Sequence, residues 1–296
     1  MTSSFDWDSF YSTSLANLDG TDVAEPEPDQ RWSTWPETAH TLDRGPQPHP
    51  DWVVQHDGAI DTELGVLKTG KEADAFLLER ALPEHLLSGA VGERTLMVAK
   101  RYRSHEQTSF HRSGRYTEGR RVTDSREGRA ISRGSSFGRS VAAAGWARTE
   151  FDTLSRLHAA GLPVPYPVQI QGTEVCMEFI GLAETATAGS RLHERRPDRD
   201  RAAQWSRELR EVVLALAELG LVHGDLSAYN VLVDPRAEEQ NLVVIDVPQV
   251  IDLIANPNGE DFLRRDCRNV CRWLRAHGAP PELADAEEWA TAALTA

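Results

Sequence analysis

Apolar and polar residues alternate in three short segments of the first half of the chain. The segments are GVLKTG from Gly65, ADAFLLERA from Ala73 and TLMVAKRYR from Thr95, and Gly, Pro or charged residues separate them. Alternation with a period of two between turn residues is typical of antiparallel strands. The pattern predicts a small antiparallel sheet, with ordered structure beginning near Trp52.

A helical period follows in the second half. Apolar residues recur three to five apart from Trp146 to His158, and three or four apart from Ala202 to Leu219, where Gly220 ends the run. This spacing predicts amphipathic helices, and a glycine suits the residue after a helix. A last helix is predicted from about Glu260 to His277, and residues 283–296 are interpreted as a tail with room for one more short helix.

Three further apolar segments contain or flank polar residues. EVCMEFIG begins at Glu174, LVHGDLSAYNVLV at Leu221 and NLVVIDVPQV at Asn241. The last two predict a hairpin-like pair of strands whose polar residues lie at the strand ends. A chain of 296 residues accommodates one two-lobed unit or two small domains, so length does not choose between them.

Two segments lack any sustained period. Residues 1–50 hold nine acidic residues against two arginines and predict a flexible acidic tail. Residues 104–144 are rich in Gly, Ser and Arg and predict a long, mobile, basic loop inside the domain. The net charge of −14 argues against general nucleic-acid binding by the whole protein, although the basic loop could meet an acidic partner or a phosphate backbone.

The cysteines and the apolar runs indicate the compartment. Cys176, Cys267 and Cys271 include no CxxC pair, which argues against a disulfide framework or a zinc site and predicts reduced thiols. No apolar run approaches the ~20 residues that a membrane helix needs. The first residues also lack the basic start and apolar stretch of a signal peptide. We expect a soluble, cytoplasmic protein.

Three polar residues at strand edges carry the candidate chemistry. Asp225 precedes Asn230 by five residues in HGDLSAYN, and Asp246 lies in LVVIDV. Mg²⁺ prefers carboxylate and amide oxygens together with substrate phosphates, so Asn230 and Asp246 can hold the metal while Asp225 faces the nucleophile. Protein kinases divide the work in this way with HRDxxxxN and DFG.

A simpler interpretation exists for each of these residues. Asp and Asn often cap backbone amides in turns, and Asp225 or Asn230 taken singly would fit that role. Their order with His223, the preceding amphipathic helix and the downstream Asp246 favours catalysis.

Lysine is rare in this chain. Only Lys68, Lys71 and Lys100 occur beside 29 arginines, so a retained lysine suggests a place that needs a compact ammonium. Lys100 ends the run LMVAK, where protein kinases carry the lysine that contacts nucleotide phosphates, and Glu150 on the following helix is its expected partner. A strand-end lysine alone would more often be a solvated charge; the order along the chain favours the phosphate role.

The segment KTGKEADAF predicts a turn between two strands. Gly70 would let backbone amides approach a phosphate, and Lys71 adds charge. Because GxGxxG is absent, composition alone indicates only a hairpin turn. Gly65 to Lys71 formally meets GxxxxGK, but Glu72 replaces the required Ser or Thr and a strand follows, which excludes a P-loop NTPase.

Seven segments between Trp52 and Gly278 resemble, in the right order, motifs of the RIO atypical protein kinases and of their type-one branch. They are KTGKEADAF for the nucleotide loop, VAKRYR for the strand lysine, GWARTEFDTLSRL for the glutamate helix, MEFIG for the hinge, VHGDLSAYNVLV for the catalytic loop, IDVPQ for the metal loop and FLRRDCRNV for the closing helix. The chain departs from the family at Lys68 and at Pro248, where Ser is usual, and neither change removes a ligand.

The resemblance implies an α+β, two-lobed, protein-kinase-like fold without a long activation segment. A small antiparallel-sheet N-lobe would span residues 51–179, and a mainly helical C-lobe would span residues 180–282. Asp225 would be the catalytic aspartate, and Asn230 and Asp246 would be the metal ligands. The implied ATP-binding residues are Lys71, Lys100, Glu150, Met177, Glu178, Ile180 and Ser227, with adenine held by the hinge backbone. The implied cofactors are ATP and Mg²⁺.

The implied function is transfer of the ATP γ-phosphate to a serine or threonine hydroxyl of a protein, including autophosphorylation. One alternative is an ATPase switch that passes through an aspartyl-phosphate on Asp246, which would make Asp246 catalytic. Another is a small-molecule kinase of the aminoglycoside or choline type, which shares HGDxxxxN but usually continues with IDW or IDF. A third is a binding module that has lost catalysis. The implied partners are ATP, a protein substrate and, through the basic loop, a ribosomal or RNA-containing particle.

Overall fold

A six-stranded antiparallel sheet forms the upper part of the molecule. The computed structural model describes residues 26–103, 136–239 and 241–296, with the backbone alone for residues 136–140. The strand order is β1-β2-β3-β4-β6-β5. The strands are β1 (Gln30–Trp32), β2 (Ile60–Thr69), β3 (Ala73–Ala81), β4 (Arg94–Tyr102), β5 (Pro167–Gln171) and β6 (Glu174–Glu178). The three alternating segments fall in β2, β3 and β4, which confirms the predicted strands.

Residues 30–32 form β1 of this sheet and Arg44 forms an isolated bridge with Gln169 of β5, so the prediction of a tail up to residue 50 is wrong for residues 30–50. β1 pairs with Ile60–Thr62 of β2. Trp35 is 1% exposed, and the Arg44 guanidinium lies 3.9 Å from its ring centroid. The acidic, proline-containing composition concealed these buried contacts. Residues 1–25 of the predicted tail lie outside the described residues.

Helix α1 (Ser136–Ala159) packs one face against the sheet. Its apolar residues Phe151, Leu154 and Leu157 are buried, as the helical spacing predicted. The helix begins well before Trp146, which corrects the prediction of a loop up to residue 144, because the alanine-rich run before Gly145 favours helix. Residues 104–135, the rest of the predicted basic loop, lie outside the described residues.

The lower part is mainly helical. It contains α2 (Arg199–Glu218), α3 (Gly259–Ala276) and α4 (Ala286–Thr295). The first two agree with the predicted helices to within about three residues. Helix α4 is the further short helix for which residues 283–296 had room, but it is packed into the molecule and is not a free tail: Trp289 is fully buried, because α4 packs against both α2 and α3. No helix in the described part of the chain is long and apolar enough to cross a membrane.

Short strands between the helices position the polar segments. They are β7 (Gly181–Leu182), β8 (Thr187–Ala188), β9 (Ser190–Arg191), β10 (Leu221–Val222), β11 (Val231–Val233), β12 (Leu242–Val244) and β13 (Ile251–Asp252). β11 and β12 form the predicted hairpin, with Val231 opposite Val244. This register brings the residues before β11 and those after β12 to the same end, facing the sheet. The division between the lobes near residues 179 and 180 stays a prediction.

Candidate active site

Lys100 joins the sheet, α1 and the segment after β12. Its ammonium Nζ lies 2.6 Å from Glu150 Oε1 and 3.2 Å from Asp246 Oδ1. Burial opposes this positive charge, but the two carboxylates outweigh burial and raise the pKa of Lys100. The structure therefore brings together three predicted site residues that are widely separated in sequence.

Tyr102 forms the second hydrogen bond to the Glu150 carboxylate. The Tyr102 hydroxyl donates to Glu150 Oε2 at 2.6 Å, while Oε1 accepts from Lys100. Glu150 is only 2% exposed, and a buried carboxylate oxygen without a hydrogen-bond donor would be costly. Lys100 and Tyr102 supply one donor to each of its two oxygens. Burial, and then the Glu150 charge, raise the pKa of Tyr102, which keeps its hydroxyl protonated as a donor.

The loop HGDLSAYN folds back on itself so that Asp225 and Asn230 meet. Asn230 Nδ2 donates to the Asp225 carbonyl at 2.9 Å and lies 3.4 Å from Asp225 Oδ2. The Asn230 backbone N–H donates to Ser227 O at 2.9 Å. The amide oxygen Oδ1 of Asn230 is therefore the side-chain atom left for a ligand.

His223 connects this loop to the segment that carries Asp246. Its Nε2 lies 3.1 Å from Ile245 O, and the Asp225 N–H donates to its Nδ1 at 3.3 Å. These partners assign a neutral ring with the proton on Nε2. Burial lowers the pKa of His223, which agrees with a neutral imidazole. The histidine is a structural link between the two loops.

Asp266 of α3 anchors the same loop from below. Its carboxylate accepts from Gly224 N at 2.7 Å and from Leu226 N at 3.0 Å, so it holds the backbone on both sides of Asp225. The neighbouring Arg265 donates to the Gly224 carbonyl. These contacts fix the direction of the Asp225 side chain without using its carboxylate.

Asp246 has a left-handed backbone, with φ 65° and ψ 52°. This conformation is uncommon for residues other than glycine, and asparagine and aspartate tolerate it best. Burial acts to raise the pKa of Asp246, but the Lys100 ammonium lowers it overall, so the side chain is a carboxylate near neutral pH. One oxygen accepts from Lys100, and the other remains for a metal.

The predicted hinge follows β6. Met177 pairs with Val98, which puts its side chain on the Lys100 face of the sheet. The Glu178 N–H donates to Tyr166 O at 2.8 Å, and the Ile180 carbonyl accepts from Gly189 N at 2.8 Å. Arg236 Nη2 lies 2.7 Å from Glu178 Oε1, so the Glu178 side chain is committed to an ion pair.

The side chains of Lys71 and Ser227 form no hydrogen bond or ion pair with Lys100, Glu150 or Asp246. Lys71 is exposed in the turn between β2 and β3, with no hydrogen bond to the other predicted site residues. Ser227 is half-buried, and its Oγ accepts from Tyr229 N at 3.4 Å.

A family model described as the RIO domain matches residues 88–287, which is more than half of the chain. The chain belongs to the RIO family. The RIO-type serine/threonine-protein kinase Rio1 of Haloferax volcanii is 34% identical over 228 residues, covering 77% of this chain and 68% of that protein. Membership confirms the family predicted from the seven segments, and the Rio1 relatives support the type-one branch.

Other RIO relatives match over smaller parts of their own length. The serine/threonine-protein kinase RIO1 of Chaetomium thermophilum is 34% identical over 45% of this chain and 26% of that protein. RIO3 of Caenorhabditis elegans is 28% identical over 77% of this chain and 39% of that protein. The structure of a Rio2 kinase–ADP/Mg²⁺–phosphoaspartate complex from Chaetomium thermophilum has a TM-score of 0.48 and 21% identity, covering 79% of this chain and 66% of that one.

Sequence reasoning missed two residues that shape this RIO site. Tyr102 ends the run VAKRY, and the alternation of a strand puts it on the same face as Lys100. This alternation is the sequence feature from which its place in the site could have been predicted. Asp266 is an acidic residue on the apolar face of α3, flanked in sequence by Arg265 and Cys267. A buried carboxylate in an amphipathic helix needs partners, and here they are backbone amides.

Proposed function

We propose that this RIO-family chain transfers the γ-phosphate of ATP to a serine or threonine hydroxyl of a protein, including its own hydroxyls. The observation that carries the proposal is the contact of Lys100 with both Glu150 and Asp246. It joins the strand lysine and the helix glutamate to the segment beside Asp225 and Asn230 in one cleft. Relatives named serine/threonine-protein kinases support the same activity.

Nucleotide binding uses the sheet and the hinge. Lys100, held by Glu150, contacts the inner phosphates, and Lys71 and Ser227 contact phosphates from the rim. Adenine lies against Met177 and exchanges hydrogen bonds with the hinge backbone at Glu178 and Ile180. The buried Glu150 keeps the Lys100 ammonium in one position, which lowers the entropy lost when a phosphate binds.

The donor set suits Mg²⁺. Asn230 offers an amide oxygen and Asp246 a carboxylate oxygen, and this magnesium site uses few protein ligands because phosphates supply others. No group of three or more His, Cys, Asp or Glu side chains in the described residues forms a separate metal cluster. When bound, Mg²⁺ neutralises charge that develops on the phosphates during transfer.

Asp225 positions the acceptor. Its carboxylate accepts the hydrogen of the attacking hydroxyl, the hydroxyl oxygen forms a bond to the γ-phosphorus, and the bond to the bridging oxygen breaks to release ADP. Asp266 and His223 hold the backbone around Asp225, so the carboxylate meets the hydroxyl in a prepared geometry. Loss of a positioned base typically slows a reaction by about 10²–10⁴.

A second candidate is an ATPase switch with Asp246 as the acceptor. The Asp246 side chain is 41% exposed and carries a lowered pKa, so it is an accessible carboxylate. Its free oxygen would attack the γ-phosphorus, ADP would leave, and water would later hydrolyse the acyl phosphate. The Rio2 complex described as a phosphoaspartate structure makes this a candidate for testing here.

The deciding experiment is incubation of the purified chain with γ-labelled ATP and MgCl₂, alone and with cell extract. We expect acid-stable phosphoserine or phosphothreonine, and a loss of at least about 10² with Asp225→Asn. Asp152→Asn is the matched control, because Asp152 is exposed on α1 and outside the site. Label that hydroxylamine removes, and that Asp246→Asn abolishes, would favour the switch. Unchanged turnover in Asp225→Asn would contradict both the assignment of Asp225 and the kinase reaction built on it.

The partners and the compartment belong to the same proposal. A protein substrate is expected from the names of the relatives, and a ribosomal or RNA-containing particle from the arginine content of residues 101–148. Cys176, Cys267 and Cys271 are buried free thiols, which is typical of a reducing compartment such as the cytoplasm.

A further inference from the structure

Lys68 lies in the same cross-strand row as Lys100. It pairs with Ala75 of β3, and Ala75 pairs with Lys100 of β4. Directly opposed residues of antiparallel strands project from the same face of a sheet. Lys68 and Lys100 therefore stand on the cleft face, two strand spacings or roughly 10 Å apart. Ala75, between them, is too small to separate their side chains.

Lys68 differs from Lys100 in having no carboxylate partner. Lys100 is paired with Glu150 and Asp246, whereas Lys68 forms no ion pair or hydrogen bond with the described parts of the chain. Burial and the Arg191 guanidinium lower the pKa of Lys68, and the Asp246 carboxylate acts in the opposite direction. An exposed ammonium thus faces the Asp246 region without being neutralised there.

Arg191 reaches the same region from the other side of the cleft. It lies in β9, opposite Leu232 of β11, and its guanidinium donates to the Tyr229 carbonyl in the catalytic loop. Lys68 and Arg191 are like charges that repel each other across the opening. An anion between them would turn this repulsion into two attractions.

The positions of the three lysines also favour an anion at this place. All three lysines of the chain, Lys68, Lys71 and Lys100, lie in β2, β4 or the turn after β2, while 29 cationic positions carry arginine. The lysine ammonium is a compact charge on a flexible stem and can reach a phosphate from several directions. Lysine at position 68 is therefore suited to contact a polyphosphate.

We propose that Lys68 binds the outer phosphates of the nucleotide, facing Arg191 across the cleft. This inference rests on the proposed function, because it concerns the nucleotide of the same site. Lys68 supplies a third lysine in addition to Lys71 and Lys100.

The test is calorimetric binding of AMP-PNP with MgCl₂, and of adenosine, to the full chain and three variants. We expect Lys68→Ala to weaken AMP-PNP binding at least fivefold, and about tenfold for a lost charge-assisted hydrogen bond, with adenosine binding unchanged. Lys68→Arg keeps the charge and should recover most of the affinity. Arg94→Ala is the matched control, because it removes one cation from the same face of β4, roughly 20 Å along the strand from Lys100.

Thermal unfolding without nucleotide separates a binding role from a structural one. Lys68→Ala should unfold at the wild-type temperature or slightly above it, because the repulsion from Arg191 is removed. A change of less than fivefold in AMP-PNP affinity, or an equal loss for adenosine, would overturn the proposal. Failure of the wild-type chain to bind AMP-PNP would instead overturn the proposed function.

Discussion

The Tyr102 hydroxyl holds the Glu150 oxygen that Lys100 does not use, at 2.6 Å. Tyr102→Phe should therefore leave a buried carboxylate oxygen without a donor and loosen the position of Lys100. We expect the free energy of unfolding to fall by about 1–3 kcal/mol and the KM for ATP to rise. Chemical denaturation and steady-state kinetics measure the two effects.

Tyr166→Phe is the control for this variant. The Tyr166 hydroxyl is likewise a hydrogen-bond donor, but it donates to the backbone carbonyl of Pro46 at 2.9 Å and lies on the far side of the sheet. It should lower stability without changing the KM for ATP. An equal KM change in both variants would contradict a specific role for Tyr102.

Asp266 predicts a pH dependence of stability. Burial raises the pKa of Asp266 from 3.8 to about 7, although two backbone N–H donors act to lower it. Because the folded-state pKa exceeds the unfolded one, the folded chain retains a proton that the unfolded chain gives up. This contribution to stability is complete below about pH 4 and is lost as pH rises through 7.

The comparison variant is Asp266→Asn, which cannot ionise. The stability of the wild type relative to this variant should fall between pH 5 and pH 7, by up to about 1.4 kcal/mol per pH unit. Urea unfolding of both proteins at several pH values between 5 and 8 measures this difference in unfolding free energy. The contributions of the other carboxylates are the same in both proteins and cancel in the difference. A difference that stays constant across this range would show that Asp266 is already ionised at pH 5.

The burial of Trp35 indicates that the segment before β2 contributes to the stability of the fold. Its side chain is fully buried beneath Arg44, so Trp35→Ala should cost about 3–5 kcal/mol of unfolding free energy. Leu42→Ala is the control, because Leu42 is 90% exposed and should change stability by less than about 0.5 kcal/mol. Equal melting temperatures for the two variants would mean that the segment does not pack as described.

Arg80 and Asp61 form a fully buried, two-pronged ion pair in the sheet. Arg80 Nε lies 2.6 Å from Asp61 Oδ1, and Nη2 lies 2.9 Å from Oδ2. Asp61→Leu should cost about 3–5 kcal/mol, because it leaves a buried guanidinium without its carboxylate. The double variant Asp61→Leu with Arg80→Met should recover most of that loss in denaturant unfolding. Additive losses in the two single variants would argue against this coupling.

Much of the site could be predicted from the sequence, because its polar residues interrupt or follow apolar segments that read as strands, and such residues lie at strand ends. Asp225, Asn230 and Asp246 follow that rule, and the order of Lys100 and Glu150 along the chain indicated their pairing. Sequence spacing did not reveal distant side-chain contacts such as that between Tyr102 and Glu150, which are far apart in sequence.

The missed parts of the fold have a common cause. Residues 30–50 are polar and proline-containing on average, yet the buried Trp35, its contact with Arg44 and the pairing of β1 with β2 hold them against the sheet. The role of Asp266 was missed because the pattern of an amphipathic helix assigns acidic residues to the exposed face. In both cases one side chain with a specific partner overrides the average composition of its segment.

The sheet extends well beyond the region by which the family is recognised. The matched residues 88–287 begin after β3, so a piece of the chain trimmed to them would lack three of the six strands, and with them Lys68 and Lys71. The unpaired edge of β4 would then be free to pair with other copies and to aggregate. For this protein, we expect the smallest unit that folds to be larger than the matched region that identifies its family.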